Sequence, residues 1–157
     1  MRGKTATPIL LLSMLLGCFY HSARIELTPT QGTSAHLSAA EIDRATEIVA
    51  EVVASRGFVR SSSGVERLSR EENEWDEFIL VAYWAGPESS TKNRVVVSVL
   101  LDKESGLFSV LVRDLDSPAS SNFTNSLVQS LEQTLKTKFP SHKIRVERST
   151  VGPAFGP

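Results

Sequence analysis

Cysteine is nearly missing from this chain, with one among 157 residues. A disulfide framework is therefore excluded as the source of stability. The fold must rest on a packed core, which a chain of this length builds by burying roughly 70% of its unfolded surface. Neither sign of charge is in excess, with 17 basic against 18 acidic residues, so no net field exists to hold nucleic acid by counterion release. Aromatic residues are sparse at 7%, while the hydrophobic share of 41% and the charged share of 22% are ordinary. That composition argues against disorder, collagen and coiled coil. No apolar run reaches the ~18 residues of a membrane-spanning helix, and no repeat recurs at 20 to 50 residues. The histidines His21, His36 and His142 stand far apart without carboxylate or cysteine at ligand spacing, so no metal site is expected. No G-x-S-x-G elbow and no Ser-x-x-Lys pattern with its partner motifs is present. No cofactor is implied. Because catalytic triads assemble from scattered positions, enzymatic activity stays an open question that leans to no.

What the sequence does hold begins at its start. Arg2 and Lys4 precede residues 9–16, apolar except for Ser13, and Gly17 follows. This is the layout of a secretory signal. As a helix the run spans only ~12 Å, too short to remain as an anchor in a ~30 Å hydrocarbon core. The tetrapeptide Leu15-Leu16-Gly17-Cys18 resembles the lipobox of bacterial lipoproteins, although Leu16 stands where that family often has Ala, Ser or Thr. The resemblance covers the signal alone. It implies cleavage before Cys18, diacylation of the Cys18 sulfur, and attachment to the cell envelope on the periplasmic side. Phe19, in place of an Asp, implies the outer membrane in a Gram-negative cell. Each buried methylene contributes about 0.8 kcal/mol, so two or more chains hold stably where one holds marginally. The alternative is an ordinary secretory signal and a secreted protein, with which the sequon Asn122-Phe123-Thr124 is consistent.

Removing Arg2 and Lys4 from the 17 basic residues leaves 15 against 18 acidic, a mature net charge of −3. The chain divides into a signal at 1–17, a polar tether at 18–36, one domain at 37–150 and a flexible tail at 151–157. Within the tether a short strand at 25–27 is allowed. Ser38 and Glu41 have capping-box spacing, with Leu37 and Ile42 as the flanking staple. Ile42, Ala45, Val49, Val52 and Val53 then follow helical periodicity up to Gly57, a left-handed cap that lets Phe58 fold back on Val53. The segment "GFVR" allows a short strand. Residues 78–85, 94–101 and 107–113 read as strands rich in β-branched and aromatic residues. Their glycine- and polar-rich links suit hairpins. A second helix starts at Ser117-Pro118 or at Ser121, carries a stripe of Phe123, Leu127, Leu131 and Leu135, and stops at Pro140. Residues 143–149 form a last strand. The expected fold is α+β: a two-layer sandwich of a mainly antiparallel four- to five-stranded sheet covered by two amphipathic helices.

Two charged stretches are candidate interaction surfaces. Residues 66–77 carry six acids and two bases around Trp75, lack the calcium-loop pattern, and offer Trp75 as an aromatic anchor. Residues 136–148 carry Lys136, Lys138, Lys143, Arg145 and Arg148 against Glu147. These two stretches can meet as a salt-bridged seam, lie as plain solvated surface, or face separate partners. The sequence thus supports a lipid-anchored envelope protein whose domain is a binding or assembly module. Its partners would be the membrane, through Cys18, and an envelope protein or cell-wall polymer, through Trp75, Lys143 and Arg145. The rival is a secreted or periplasmic enzyme or small-ligand binder.

Overall fold

A computed structural model describes residues 20–30, 36–61, 78–86, 94–115 and 119–151. Among these residues two helices and six strands follow in the order β1 (Tyr20–Pro29), α1 (Ala39–Ala54), β2 (Val59–Arg60), β3 (Phe78–Ala85), β4 (Val95–Asp102), β5 (Phe108–Asp114), α2 (Asn122–Lys138), β6 (His142–Val151). The α+β class holds, and the sheet has six strands where four to five were expected. All pairings are antiparallel, in the order β2-β3-β4-β5-β1-β6.

The helices begin where their caps dictate. Ser38 Oγ accepts the Glu41 N–H at 3.3 Å, and Glu41 Oε2 accepts the Ser38 N–H at 2.8 Å. The helix ends in a Schellman arrangement: Phe58 N–H donates to Val53 O and Gly57 N–H to Ala54 O. Gly57 takes φ 82°, which a β-carbon would penalise. In α2 the cap is Ser121, whose Oγ accepts the Thr124 N–H at 3.1 Å. The alternative start at Ser117-Pro118 lies outside the described residues. The buried stripe of α2 begins at Thr124 and runs through Leu127, Val128, Leu131 and Leu135. Phe123, expected in that stripe, is half-exposed and stacks on Phe58 at 6.1 Å between ring centroids.

The largest departure concerns the supposed tether. Residues Tyr20–Pro29 form β1, paired on one side to β5 and on the other to β6. Composition hid this strand, because Ser, Thr and Arg occupy its outer positions. Ala23, Ile25 and Leu27 alternate inward and are completely or almost completely buried. Ile25 and Leu27 each contribute about 1.5–3 kcal/mol by burial, and the Ala23 methyl less. A polar text with three apolar residues at period two is thus a strand, not a linker.

Both helices cover one face. Ala45, Ile48, Val49 and Val53 of α1 and the α2 stripe meet Ile25, Val97, Val99, Phe108, Val110 and Val112. The opposite face carries Ser98 and Ser109, both buried. There Arg24 of β1 places its guanidinium 5.5 Å from the ring centroid of Phe78 on β3, so these long side chains lie across the two strands between them. At the tip of the β4–β5 hairpin, Asp102 Oδ1 accepts the N–H groups of Ser105 and Glu104, and Gly106 turns the chain with φ 61°. The Ser105 N–H and the Ser105 hydroxyl, which donates to the same oxygen at 2.7 Å, come first, then the Glu104 N–H, and with the Arg24 charge they hold the Asp102 carboxyl below its ordinary value.

Candidate functional site: the open edge of the sheet

The sheet's two margins are unequal. β2 is two residues long, a length that offers little template for pairing. β6 is ten residues long and pairs with β1 from Tyr20↔Val151 to Pro29↔His142. Its other side has no strand among the described residues. Pro140 ends α2, and the following alternation of Ile144 and Val146 with Lys143, Arg145 and Glu147 makes a strand with one apolar side. Ile144 and Val146 pack partly against the core, while Lys143, Arg145, Glu147 and Arg148 are exposed.

Which backbone groups of β6 point outward follows from the ladder's alternation. Thr30 N–H donates to Ser141 O at 3.2 Å, so residues 30 and 141 form a hydrogen-bonded pair. Such pairs recur every two residues. Lys143, Arg145, Glu147 and Ser149 therefore bond to β1, and Ile144, Val146 and Arg148 direct their N–H and C=O away from it. Two observations agree with this phase. Asp102 N–H donates to Leu107 O, which places the odd-numbered residues of β1 toward β5 and its even-numbered residues toward β6. Pro29, which has no N–H, is an odd-numbered residue paired with His142, and the His142 N–H turns instead to Phe139 O.

The charges along this edge are ordered. In register, Glu26 faces Arg145 and Arg24 faces Glu147, and Arg145 also lies 2.5 Å from Glu147 on its own strand. The strand's start is clamped to the helices. His142 Nε2 lies 3.3 Å from Glu41 Oε1, and its ring meets Phe139 edge-on at 5.1 Å. The Ser38 hydroxyl and N–H bound to Glu41 are the main causes that lower its carboxyl below the ordinary value, with His142 adding to them.

A second polar group lies inside. His21 and Asp114 are register partners on β1 and β5, at 7% and 0% exposure. Asp114 Oδ2 accepts from Thr124 Oγ1 at 3.1 Å, and Thr124 Oγ1 lies 2.9 Å from the capping Ser121 Oγ. His21 Nε2 and Asp114 Oδ1 are buried without a hydrogen-bond partner among the described residues. Although Ser, His and Asp are all present, Ser121 is committed to the helix cap, and the chain of contacts runs serine–threonine–aspartate. It is a clasp between the first turn of α2 and the sheet. His21 lies within the stretch read as a tether; its period-two relation to Ala23, Ile25 and Leu27 was the available signal.

Of the residues singled out in the sequence, Lys143 and Arg145 fall on the outer face of β6. Cys18, Trp75 and the acidic run lie outside the described residues, so the seam is not placed. Among the described residues no cluster of three or more metal-ligating side chains occurs, and no helix is long and apolar enough to cross a membrane. Compared with known proteins, the chain matches no family model and no curated relative.

Proposed function

We propose that this chain is a lipid-anchored cell-envelope protein whose domain is a binding or assembly module, working through the open edge of β6. The observation that carries the binding role is that edge: outward amides and carbonyls of Ile144, Val146 and Arg148 flanked by Lys143 and Arg145. An extended partner adding a strand there gains main-chain hydrogen bonds for affinity and side-chain contacts for selectivity. The anchor rests on the Leu-Leu-Gly-Cys motif. β1 begins two residues after Cys18, a separation of at most about 7 Å. The domain is then held at the bilayer surface, facing the periplasm, rather than at the end of a long tether. In a Gram-negative cell the outer membrane is the proposed site.

Mass spectrometry of the mature N-terminus tests the anchor. A diacylated Cys18 as first residue is the expected result; an unlipidated N-terminus at another residue refutes it and makes the protein secreted. The edge is tested by Val146→Pro, which removes an outward N–H that β1 does not use. Recovery of bound envelope components from detergent extracts should fall at least about tenfold, the equivalent of ~1.4 kcal/mol. Unchanged recovery by a folded Val146→Pro protein refutes edge binding.

A further inference from the structure

We infer that the strand added to β6 is β6 of a second copy of this chain, paired antiparallel about a two-fold axis through Val146. The inference rests on the edge-binding reading above and names its partner. A two-fold axis perpendicular to the sheet brings β6 against itself with both helix layers on one side, so the pairing is isologous. With Val146 at the axis, the outward-facing residues meet in hydrogen-bonding pairs: Val146 with Val146, and Ile144 with Arg148 of the second copy. These supply roughly six main-chain hydrogen bonds. Between them, at the closer non-hydrogen-bonded positions, Arg145 meets Glu147 of the second copy, twice by symmetry. The cross-strand charge order already present, Arg24 beside Glu147 and Glu26 beside Arg145, then continues through the junction as Arg24, Glu147, Arg145, Glu26. Val146 closes on Val146, and the Arg148 stem lies over Ile144, covering apolar surface that the monomer leaves partly exposed.

Neighbouring registers fail on charge. Centring on Ile144 opposes Arg145 to Lys143; centring on Arg145, Glu147 or Arg148 opposes that residue to itself. Like charges directly opposite destabilise a sheet. Of these five registers the Val146-centred one is the only one with no like-charge opposition. Parallel pairing in register would set every charge against its own kind. One strand pair buries less than the roughly 1,200 Å² of a standard stable interface, so the dimer is weak in dilute solution. Confinement to one membrane surface raises its effective concentration. Two copies anchored in one leaflet share an axis along the membrane normal, which lays the joined sheet along the bilayer.

Sedimentation equilibrium of the full mature protein over a wide concentration range tests the inference. Wild type should form a concentration-dependent dimer. Val146→Pro and Glu147→Arg should remain monomeric, with folding confirmed by circular dichroism. The charge exchange Arg145→Glu/Glu147→Arg should recover dimerisation at least about tenfold over Glu147→Arg. Oxidation of Val146→Cys should give a 146–146 disulfide by peptide mapping, since Cα atoms of hydrogen-bonded partners stand about 5.5 Å apart. A wild-type protein monomeric at every concentration, or a dimer indifferent to Val146→Pro, overturns the self-pairing. If wild type is monomeric yet loses envelope partners on Val146→Pro, self-pairing fails while edge binding stands; if Val146→Pro changes neither, both fail.

Discussion

β1 and β6 lie side by side, are ten residues each, and pair along their whole length, yet one is core and the other is surface. Both strands alternate. The difference is what flanks them: β1 has β5 on its far side and its Ala23, Ile25 and Leu27 in the core beneath the helices, whereas β6 meets the helix layer through His142, packs Ile144 and Val146 only partly against the core, and has no strand beyond it among the described residues. A strand's role is therefore set by how many of its four sides are occupied, more than by its own pattern. The side of β6 with no strand among the described residues is the one toward which Ile144, Val146 and Arg148 direct their backbone groups.

The largest difference in stability between the two strands is expected at their centres. Ile25→Ala should cost about 2–5 kcal/mol in chemical denaturation, because Ile25 is completely buried and leaves a cavity. Val146→Ala, half-buried on the next strand, should cost clearly less; equal costs would mean that β6 is as enclosed as β1. The next largest contrast lies within β6. Arg145→Pro deletes an N–H that bonds to β1 and should cost about 1–3 kcal/mol, whereas Val146→Pro deletes an outward one and should cost under about 1 kcal/mol for the ladder. The reverse order would overturn the alternation on which the edge assignment stands.

Smaller effects sharpen the contrast at the helix that caps the strand's start. Ser38→Ala removes the capping hydroxyl and should cost about 1 kcal/mol. It should also flatten part of the acid limb of the stability profile. The folded Glu41 carboxyl lies below its ordinary value of 4.5, so its contribution is present above that value and is lost as pH falls through the lower folded one. The Glu41 side chain is 38% exposed, and screening by solvent keeps this contribution small. Smallest of all, Glu132→Ala breaks an exposed i,i+4 contact with Lys136, 2.7 Å long, and should cost about 0.3–0.5 kcal/mol.

Elements with a local physical signature were legible in the sequence. The Ser38–Glu41 box, the Gly57 cap and the β-branched runs of β3, β4 and β5 each signal themselves within a few residues, and the structure places them within one or two positions of expectation. β1 was hidden because its outward residues are Ser, Arg, Glu and Thr and its burial comes from partners over eighty residues away. The same reason hid the site. Lys143 and Arg145 stood out as charge, but charge alone cannot distinguish a solvated face from an open edge; the phase of the ladder against β1 makes that distinction. The Ser121–Thr124–Asp114 clasp likewise exists only once the second helix is docked on the sheet.

Residue-resolved amide hydrogen exchange along β6 distinguishes an open edge from a covered one. In dilute protein the Lys143, Arg145 and Glu147 amides should be protected, and those of Ile144, Val146 and Arg148 should exchange orders of magnitude faster. On raising the concentration, the second set alone should gain protection. Uniform protection across β6 in dilute protein, or no change in the Ile144, Val146 and Arg148 amides when partners bind, would contradict the account.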